Sequence, residues 1–188
     1  MAFNVQQFRA SLVNDGARAS LFEVVMNLPP AAGFTAIDQE IRFKARATSL
    51  PGDSVSSINV NYFGREIKVA GTRTFTDWSF TVINDENFLI RNNLELWMSG
   101  LNSHVGNLRN PALATSNLYQ ADAWVTQFAK TGEMIKQYHI VGCFPTDVAP
   151  IDLDWASGDQ IEEFGVTLSY QWWESIFPIP TTDTVGGV

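Results

Sequence analysis

Phe164-Gly165-Val166-Thr167-Leu168-Ser169-Tyr170-Gln171-Trp172 places an apolar or aromatic side chain at every second position, with Gly, Thr, Ser and Gln between them. That period of two belongs to a strand with one face buried. The same alternation recurs on both sides of the chain. It runs through Leu21–Leu28 (Phe22, Val24, Met26, Leu28) and Thr74–Val82 (Thr76, Trp78, Phe80, Val82), and returns in Asp122–Phe128 (Trp124, Thr126, Phe128). In Glu40–Thr48, Ile41, Phe43, Ala45 and Ala47 alternate with Arg42, Lys44, Arg46 and Thr48, so a strand with one apolar and one basic face is predicted. Met134–Gly142 follows the turn-like Lys130-Thr131-Gly132-Glu133 and is expected to pair with Asp122–Ala129 as a hairpin. Half-buried antiparallel sheet is the expected result. The fold class read from the pattern is mainly β, an antiparallel β-sandwich or barrel.

One segment has a different period. Ile90, Leu94, Trp97 and Leu101 are spaced four, three and four apart, which puts them on one face of a single α-helix of about four turns. Asn84 and Asp85 are its candidate N-caps, Glu86 suits the positive end of the dipole, and Gly100 is a plausible stop. Leu50-Pro51-Gly52-Asp53 reads as a turn leading to a strand near Ser57–Phe63. Residues 102–118 are polar and aperiodic and are expected to form a long surface loop. The expected organisation is one domain over 1–174, with an N-terminal arm over 1–20 and a flexible tail over 175–188.

Composition narrows the function classes. With 188 residues, area scaling predicts that folding buries roughly 21,000 Å², a core that needs no disulfide. The single cysteine, Cys143, excludes an intramolecular disulfide framework and a four-cysteine zinc site. The start lacks the basic and apolar regions of an export signal, and no stretch is apolar for long enough to span a bilayer, so a soluble protein is expected. Twelve Lys and Arg against twenty Asp and Glu give a net charge of −8, which disfavours tight binding to nucleic-acid phosphates.

Catalytic signatures are missing from the sequence. There is no nucleophile elbow, phosphate loop, H-E-x-x-H or dinucleotide fingerprint. His139 and Cys143, four apart on one strand, are expected to share a face. They could form a thiol–imidazole dyad, but a histidine beside a structural cysteine is the simpler reading. Asp152 and Asp154 could serve a cation or acid–base chemistry, but between Pro150 and Gly158 they read more simply as turn residues. No catalytic residue, cofactor or metal site is expected. The basic strip Arg42, Lys44 and Arg46, with Arg65, Lys68 and Arg73, suits a complementary surface on another copy better than it suits nucleic acid, with solvated charge as a third option. Thirteen Phe and six Trp exceed what one sheet face readily absorbs, which favours an oligomer.

Val69-Ala70-Gly71-Thr72-Arg73-Thr74-Phe75-Thr76-Asp77-Trp78, followed by Thr81-Val82-Ile83-Asn84-Asp85-Glu86, resembles the central motif of the tail tube proteins of contractile-tailed bacteriophages. Phe43–Pro51, Phe144–Val148, Leu153–Trp155 and Ile161–Tyr170 continue the resemblance in order, over about Leu21 to Glu174. It departs around Gly33–Asp38, in the loop 102–118 and after Glu174. The resemblance implies a β-sandwich with one helix, assembled as six-membered rings that stack head-to-tail into a hollow tube. Implied partners are further copies of the chain, the tail sheath protein, baseplate and tail terminator proteins, a tape-measure protein in the lumen, and double-stranded DNA passing without specific binding; membrane binding is not implied. The implied location is the virion tail, after assembly in the host cytoplasm. In that frame Arg42, Lys44, Arg46, Asp53, Arg65, Lys68, Arg73 and Asp77 are candidate subunit and ring contacts, and Asp122, Glu133 and Glu162 are candidate lumen residues. A tube of a bacterial contractile injection device (type VI or pyocin-like) is the alternative within the same architecture. A soluble β-barrel enzyme using His139 and Cys143 is the alternative outside it.

Overall fold

The computed structural model describes residues 4–29, 34 and 37–177. Seven strands form one antiparallel sheet: β1 (Phe22–Met26), β2 (Ala45–Thr48), β5 (Trp78–Ile83), β6 (Ala121–Phe128), β7 (Met134–Val148), β8 (Glu163–Ser169) and β9 (Trp172–Phe177). Its order is β1-β6-β7-β8-β5-β2, with β9 also on β7. Between β2 and β5 the chain runs out and back as a separate two-stranded sheet, β3 (Asp53–Tyr62) and β4 (Arg65–Phe75). Four α-helices accompany them: α1 (Val5–Ser11), α2 (Asp38–Lys44), α3 (Leu89–Leu101) and α4 (Ser116–Tyr119).

The expected alternations supply the core. Val24 and Met26 of β1, Trp78, Phe80 and Val82 of β5, Ala123 and Val125 of β6, and Phe164, Val166 and Leu168 of β8 are all buried in one cluster. Both ends of the sheet therefore contribute to the same interior, β1, β6, β7 and β9 from one side and β2, β5, β8 and the end of β7 from the other. Helix α3 closes the open side with Ile90, Leu94 and Trp97, the positions its spacing selects. Trp97 Nε1 donates to the Tyr119 carbonyl at 2.9 Å, which anchors α4 beneath it.

Several expectations are corrected. The basic strand over Glu40–Thr48 is a helix up to Lys44, and only Ala45–Thr48 is extended. Ile37 and Ile41, four apart, are both buried, while Phe43 is exposed. Asp38 and Glu40 sit in the first turn and Arg42 and Lys44 in the last, the polarity that the helix dipole favours. The alternation there reflects charges spaced along a helix. Instead of one α-helix, the described residues form four. The N-cap position of α3 is Phe88, held in the left-handed region at φ 52°, while Asp85, three residues earlier, accepts a hydrogen bond from the Leu89 backbone at the helix start. The strand expected over Thr74–Val82 breaks at Thr76-Asp77, and the one over Phe164–Trp172 breaks at Tyr170-Gln171.

Residues 102–118 are more ordered than a bare loop. Asn110 Oδ1 accepts from Ala112 N at 3.0 Å and starts a 3-10 turn over Pro111–Leu113, whose Leu113 is buried against α3. At the other end, β9 carries regular structure to Phe177, into the stretch read as tail; Pro178–Val188 lie outside the described residues, as does half of the Gly33–Asp38 departure.

Every residue of β3 is exposed, and so are all but two of β4.

Candidate assembly surfaces

The β3–β4 hairpin turns through Phe63-Gly64, both at positive φ (45° and 79°). Two left-handed central residues match the right-handed twist of paired strands, and a glycine makes the second one inexpensive. In the register Ile58 faces Val69, Val60 faces Ile67 and Tyr62 faces Arg65, so these side chains share one surface of the ribbon. Asn59 with Lys68 and Asn61 with Glu66 occupy the other. The hairpin is thus amphipathic, yet every residue of β3 is exposed and neither strand packs substantially on another element. About half of the Ile58, Val60, Ile67 and Val69 surface is open to water. A two-stranded ribbon with an uncovered apolar face is marginal by itself, and contiguous exposed apolar surface marks an interaction site.

The hairpin's base is firmly tied down. Trp78 Nε1 donates to the Ser49 carbonyl at 2.8 Å and Tyr170 Oη to the Gly52 carbonyl at 3.4 Å. Asp53 and Arg73 form an ion pair across the first rungs, and the Arg73 guanidinium lies over Phe75 and Trp173. Burial, reinforced by the Asp53 and Asp77 carboxylates, raises the Tyr170 phenol above its ordinary value.

The basic strip does not present unpaired charge. Arg42 Nε lies 2.8 Å from Glu23, Lys44 pairs with both Glu40 and Asp85, and Arg46 pairs with Glu163. Burial alone would lower the Lys44 pKa, but its hydrogen bonds to Asp85 and Glu40 outweigh that and raise it above 10.5. Asp85 is correspondingly lowered, first by its hydrogen bond from Lys44. Arg65 and Lys68 lie out along the hairpin, on opposite faces, and Asp77 occupies the break between β4 and β5. The eight candidate contacts therefore divide between the sheet's flank and the hairpin.

The three candidate lumen carboxylates are also dispersed. Asp122 Oδ1 accepts from Gly142 N at 3.0 Å, Glu133 lies in the β6–β7 turn, and Glu162 accepts from Asn84 Nδ2 at 2.8 Å. Asp122 opposes both Val141 and Gly142, because β7 bulges where Gly142 takes φ 66°.

That bulge overturns the dyad. Cys143 joins Ile140 on the buried face, while His139 turns to the other face and stacks on Trp124 at 4.9 Å and 4°. His139 Nδ1 lies 3.2 Å from Glu174 and Nε2 lies 3.4 Å from Asp122, outside hydrogen-bond geometry. The Cys143 thiol donates to the Ala121 carbonyl at 3.0 Å, and burial, then Asp122, pushes its pKa up to about 12. A thiol so held has negligible thiolate at neutral pH. Asp154 Oδ1 accepts from Ala156 N at 3.1 Å, the turn role expected of it, and the described residues contain no metal-binding cluster of His, Cys, Asp and Glu.

The strand expected near Ser57–Phe63 is β3, but its partner β4 and their common apolar face are not among the expectations, although Ile58-Asn59-Val60-Asn61-Tyr62 and Ile67-Lys68-Val69 carry the same period of two as the core strands. The turn residues Phe63-Gly64 between them complete a hairpin signal.

The described residues thus combine a curled antiparallel sheet around a closed core with a paired ribbon whose apolar face is uncovered. The chain belongs to the phage tail tube protein family, whose model matches residues 17–175. It is 35% identical over 167 residues to the tail tube protein gp19 of Enterobacteria phage T4, covering 88% of this chain and 96% of that one. It is 25% identical over 168 residues to the tail tube protein of Serratia phage KSP90, covering 88% and 93%. Its fold is similar to a chain of the sheath–tube complex of an extracellular contractile injection system, with TM-score 0.60 and 14% identity over 93% of this chain and 98% of that one. A chain of the anti-feeding prophage baseplate has TM-score 0.62 and 11% identity, covering 85% and 94%.

Proposed function

We propose that six copies of this chain close into a ring and that rings stack head-to-tail into the inner tube of a contractile phage tail. The observation that carries this reading is the hairpin's uncovered apolar face of Ile58, Val60, Tyr62, Ile67 and Val69. Laid on an adjacent copy, it removes that surface from water, and since the contact is head-to-tail it repeats without closing, which builds a filament. Sheet edges support closure within the ring. The outer edge of β2 has no strand partner among the described residues, and β7 from Phe144 to Val148 pairs with β8 alone. Joining such edges between neighbours satisfies their backbone groups. The four-strand stretch β7-β8-β5-β2 from each of six copies gives 24 strands and a backbone diameter of roughly 48 Å, wider than a DNA duplex.

In this reading the tube carries double-stranded DNA after the tape-measure protein has left, and the sheath surrounds it. Baseplate and terminator proteins cap its ends, assembly takes place in the host cytoplasm, and no step is catalytic. The relatives at 25–35% identity are phage tail tubes, so a phage tail is favoured over an injection device. Electron microscopy of the concentrated protein is expected to show rings or tubes of uniform width, and Ile58→Asp with Ile67→Asp to abolish tubes, leaving unstacked rings or single chains. Wild-type protein that sediments as a monomer at every concentration overturns the proposal.

A further inference from the structure

Trp155 is fully open to water in the loop between β7 and β8, and Leu153 and Ile161 of the same loop are exposed with it. An indole and two aliphatic side chains gathered on one loop form an apolar patch that the subunit does not use. The patch stands in an acidic setting, because residues 149–162 include Asp152, Asp154, Asp159 and Glu162 and no Lys or Arg. A second unused apolar feature has the opposite character. A cavity of about 550 Å³ opens between the second half of α3 and the Pro111–Leu113 turn, lined by Phe34, Leu96, Leu108, Leu113 and Arg109. From Leu96 to Gln120 the sequence has no Asp or Glu, in a chain whose net charge is −8. Arg109 pairs with no carboxylate among the described residues, and its guanidinium lies over Tyr119 at 4.9 Å.

The two features stand at opposite ends of the subunit. The β7–β8 loop lies where β5 ends and α3 begins: Asn84 N donates to the Glu162 carbonyl at 2.8 Å and Arg91 Nη1 to the Ala149 carbonyl at 3.0 Å. The cavity lies past the other end of α3. There Arg109 rests on Tyr119, Tyr119 meets Phe144 edge-on at 5.8 Å, and Phe144 opposes Ser169 at the end of β8. This is also the end where Trp78 opposes Leu168 and the β3–β4 hairpin leaves the sheet. From Arg91 to Gly100 the helix alone spans about 14 Å. Loop and cavity of one chain are therefore held apart, each open to a different neighbour.

We propose that the cavity beside α3 receives the β7–β8 loop of a second copy, with Trp155 entering between Leu96, Leu108 and Leu113 and Asp152 meeting Arg109. The inference rests on the stacking proposed above and adds a contact between successive rings that does not involve the hairpin. Its receiving side is built from the 102–118 loop, where the chain departs from the family resemblance. Three properties support it. The cavity has a volume that takes a compact apolar group, and an aromatic anchor in such a pocket is where binding energy concentrates. Acidic loop and carboxylate-free cavity attract, whereas two acidic loops repel, so the charges select head-to-tail order over head-to-head. Features at opposite ends of one chain make a heterologous contact that repeats along a stack.

The test uses full-length chain carrying Ala156→Cys together with Ala112→Cys, both at exposed positions beside the proposed contact, with the buried native Cys143 as unreactive background. After assembly and mild oxidation, a non-reducing gel is expected to show a ladder running past six chains, and neither single substitution is expected to give one. Intact tubes that yield no cross-link overturn the inference and leave tube assembly standing, as does a ladder that stops at six, which places the contact inside the ring. Dimers from Ala156→Cys alone place the loops face to face and also overturn it. A charge exchange decides the case independently should the double cysteine chain not assemble. Arg109→Glu is expected to lower the assembled fraction about tenfold or more, and Asp152→Arg in the same chain to restore it. Arg109→Glu tubes that match wild type, or no recovery with Asp152→Arg, overturn the pairing. Failure of the unsubstituted chain to form rings overturns the assembly proposal and this inference together.

Discussion

Two regions of this chain obey the same alternation rule and come to opposite ends. In the curled sheet, each apolar position of β5 and β8 finds partners from the same chain, and Trp78, Phe80, Val166 and Leu168 are sealed from water. In the β3–β4 ribbon, Ile58, Val60, Ile67 and Val69 line up across the two strands just as regularly, but no other element covers them and about half of their surface stays open to water. The contrast separates a region that seals its own apolar surface from one that does not. The core region supplies its own stability, whereas the ribbon holds its shape through backbone pairing and a pinned base, and in the proposed assembly its apolar face is what a neighbour covers.

That division can be tested by substitutions of decreasing effect on the isolated subunit. Trp78→Ala removes one of the two sealed tryptophans together with the Nε1–H that anchors the start of the hairpin. It is expected to cost about 3–5 kcal/mol and to lower the melting temperature by roughly 10 °C in thermal denaturation. Gly142→Ala puts a Cβ at φ 66° against the Gln171 and Gln120 side chains. A loss of about 1–2 kcal/mol is expected by chemical denaturation; an unchanged midpoint would show that the β7 bulge can be rebuilt without glycine.

Titration probes the flank of the sheet. Asp85 is lowered below 3.8 in the folded state, so its contribution is complete above that value and is lost as pH falls through the depressed pKa. Lys44 is raised above 10.5, so its contribution is complete below that value and is lost as pH climbs through the raised pKa. Stability measured against pH should be flat in this respect between the two limits, and Asp85→Asn should remove the acid-side slope. Smallest of all is the effect of Ile58→Asp with Ile67→Asp on the unassembled subunit, within about 1 kcal/mol of wild type by the same denaturation, although tube assembly is lost. A large drop in subunit stability from that pair would erase the distinction between the two regions.

Much of the architecture was legible because it depends on local spacing. The strands around Val24, Val125 and Val166 and the helix face of Ile90, Leu94 and Trp97 stand where their periods put them. The errors arose where two patterns coincide. Ile41-Arg42-Phe43-Lys44 alternates like a strand, but Ile37 and Ile41 repeat at four and the charges run from acid to base, so the segment coils. The pairing of His139 with Cys143 failed because one bulge at Gly142 shifts the parity of everything after it. The candidate contacts Arg42, Lys44 and Arg46 were visible as charges, but their partners Glu23, Asp85 and Glu163 come from distant parts of the chain.

The amino-acid order by itself determined that this protein is built of strands, where most of them run, and which family it joins, because side-chain period and motif are properties of neighbouring residues. Only the tertiary structure decided which alternating stretches found a core and which were left facing outward. That outcome depends on register, bulges and the reach of one strand past its partners, and these are set by contacts between residues far apart in the chain.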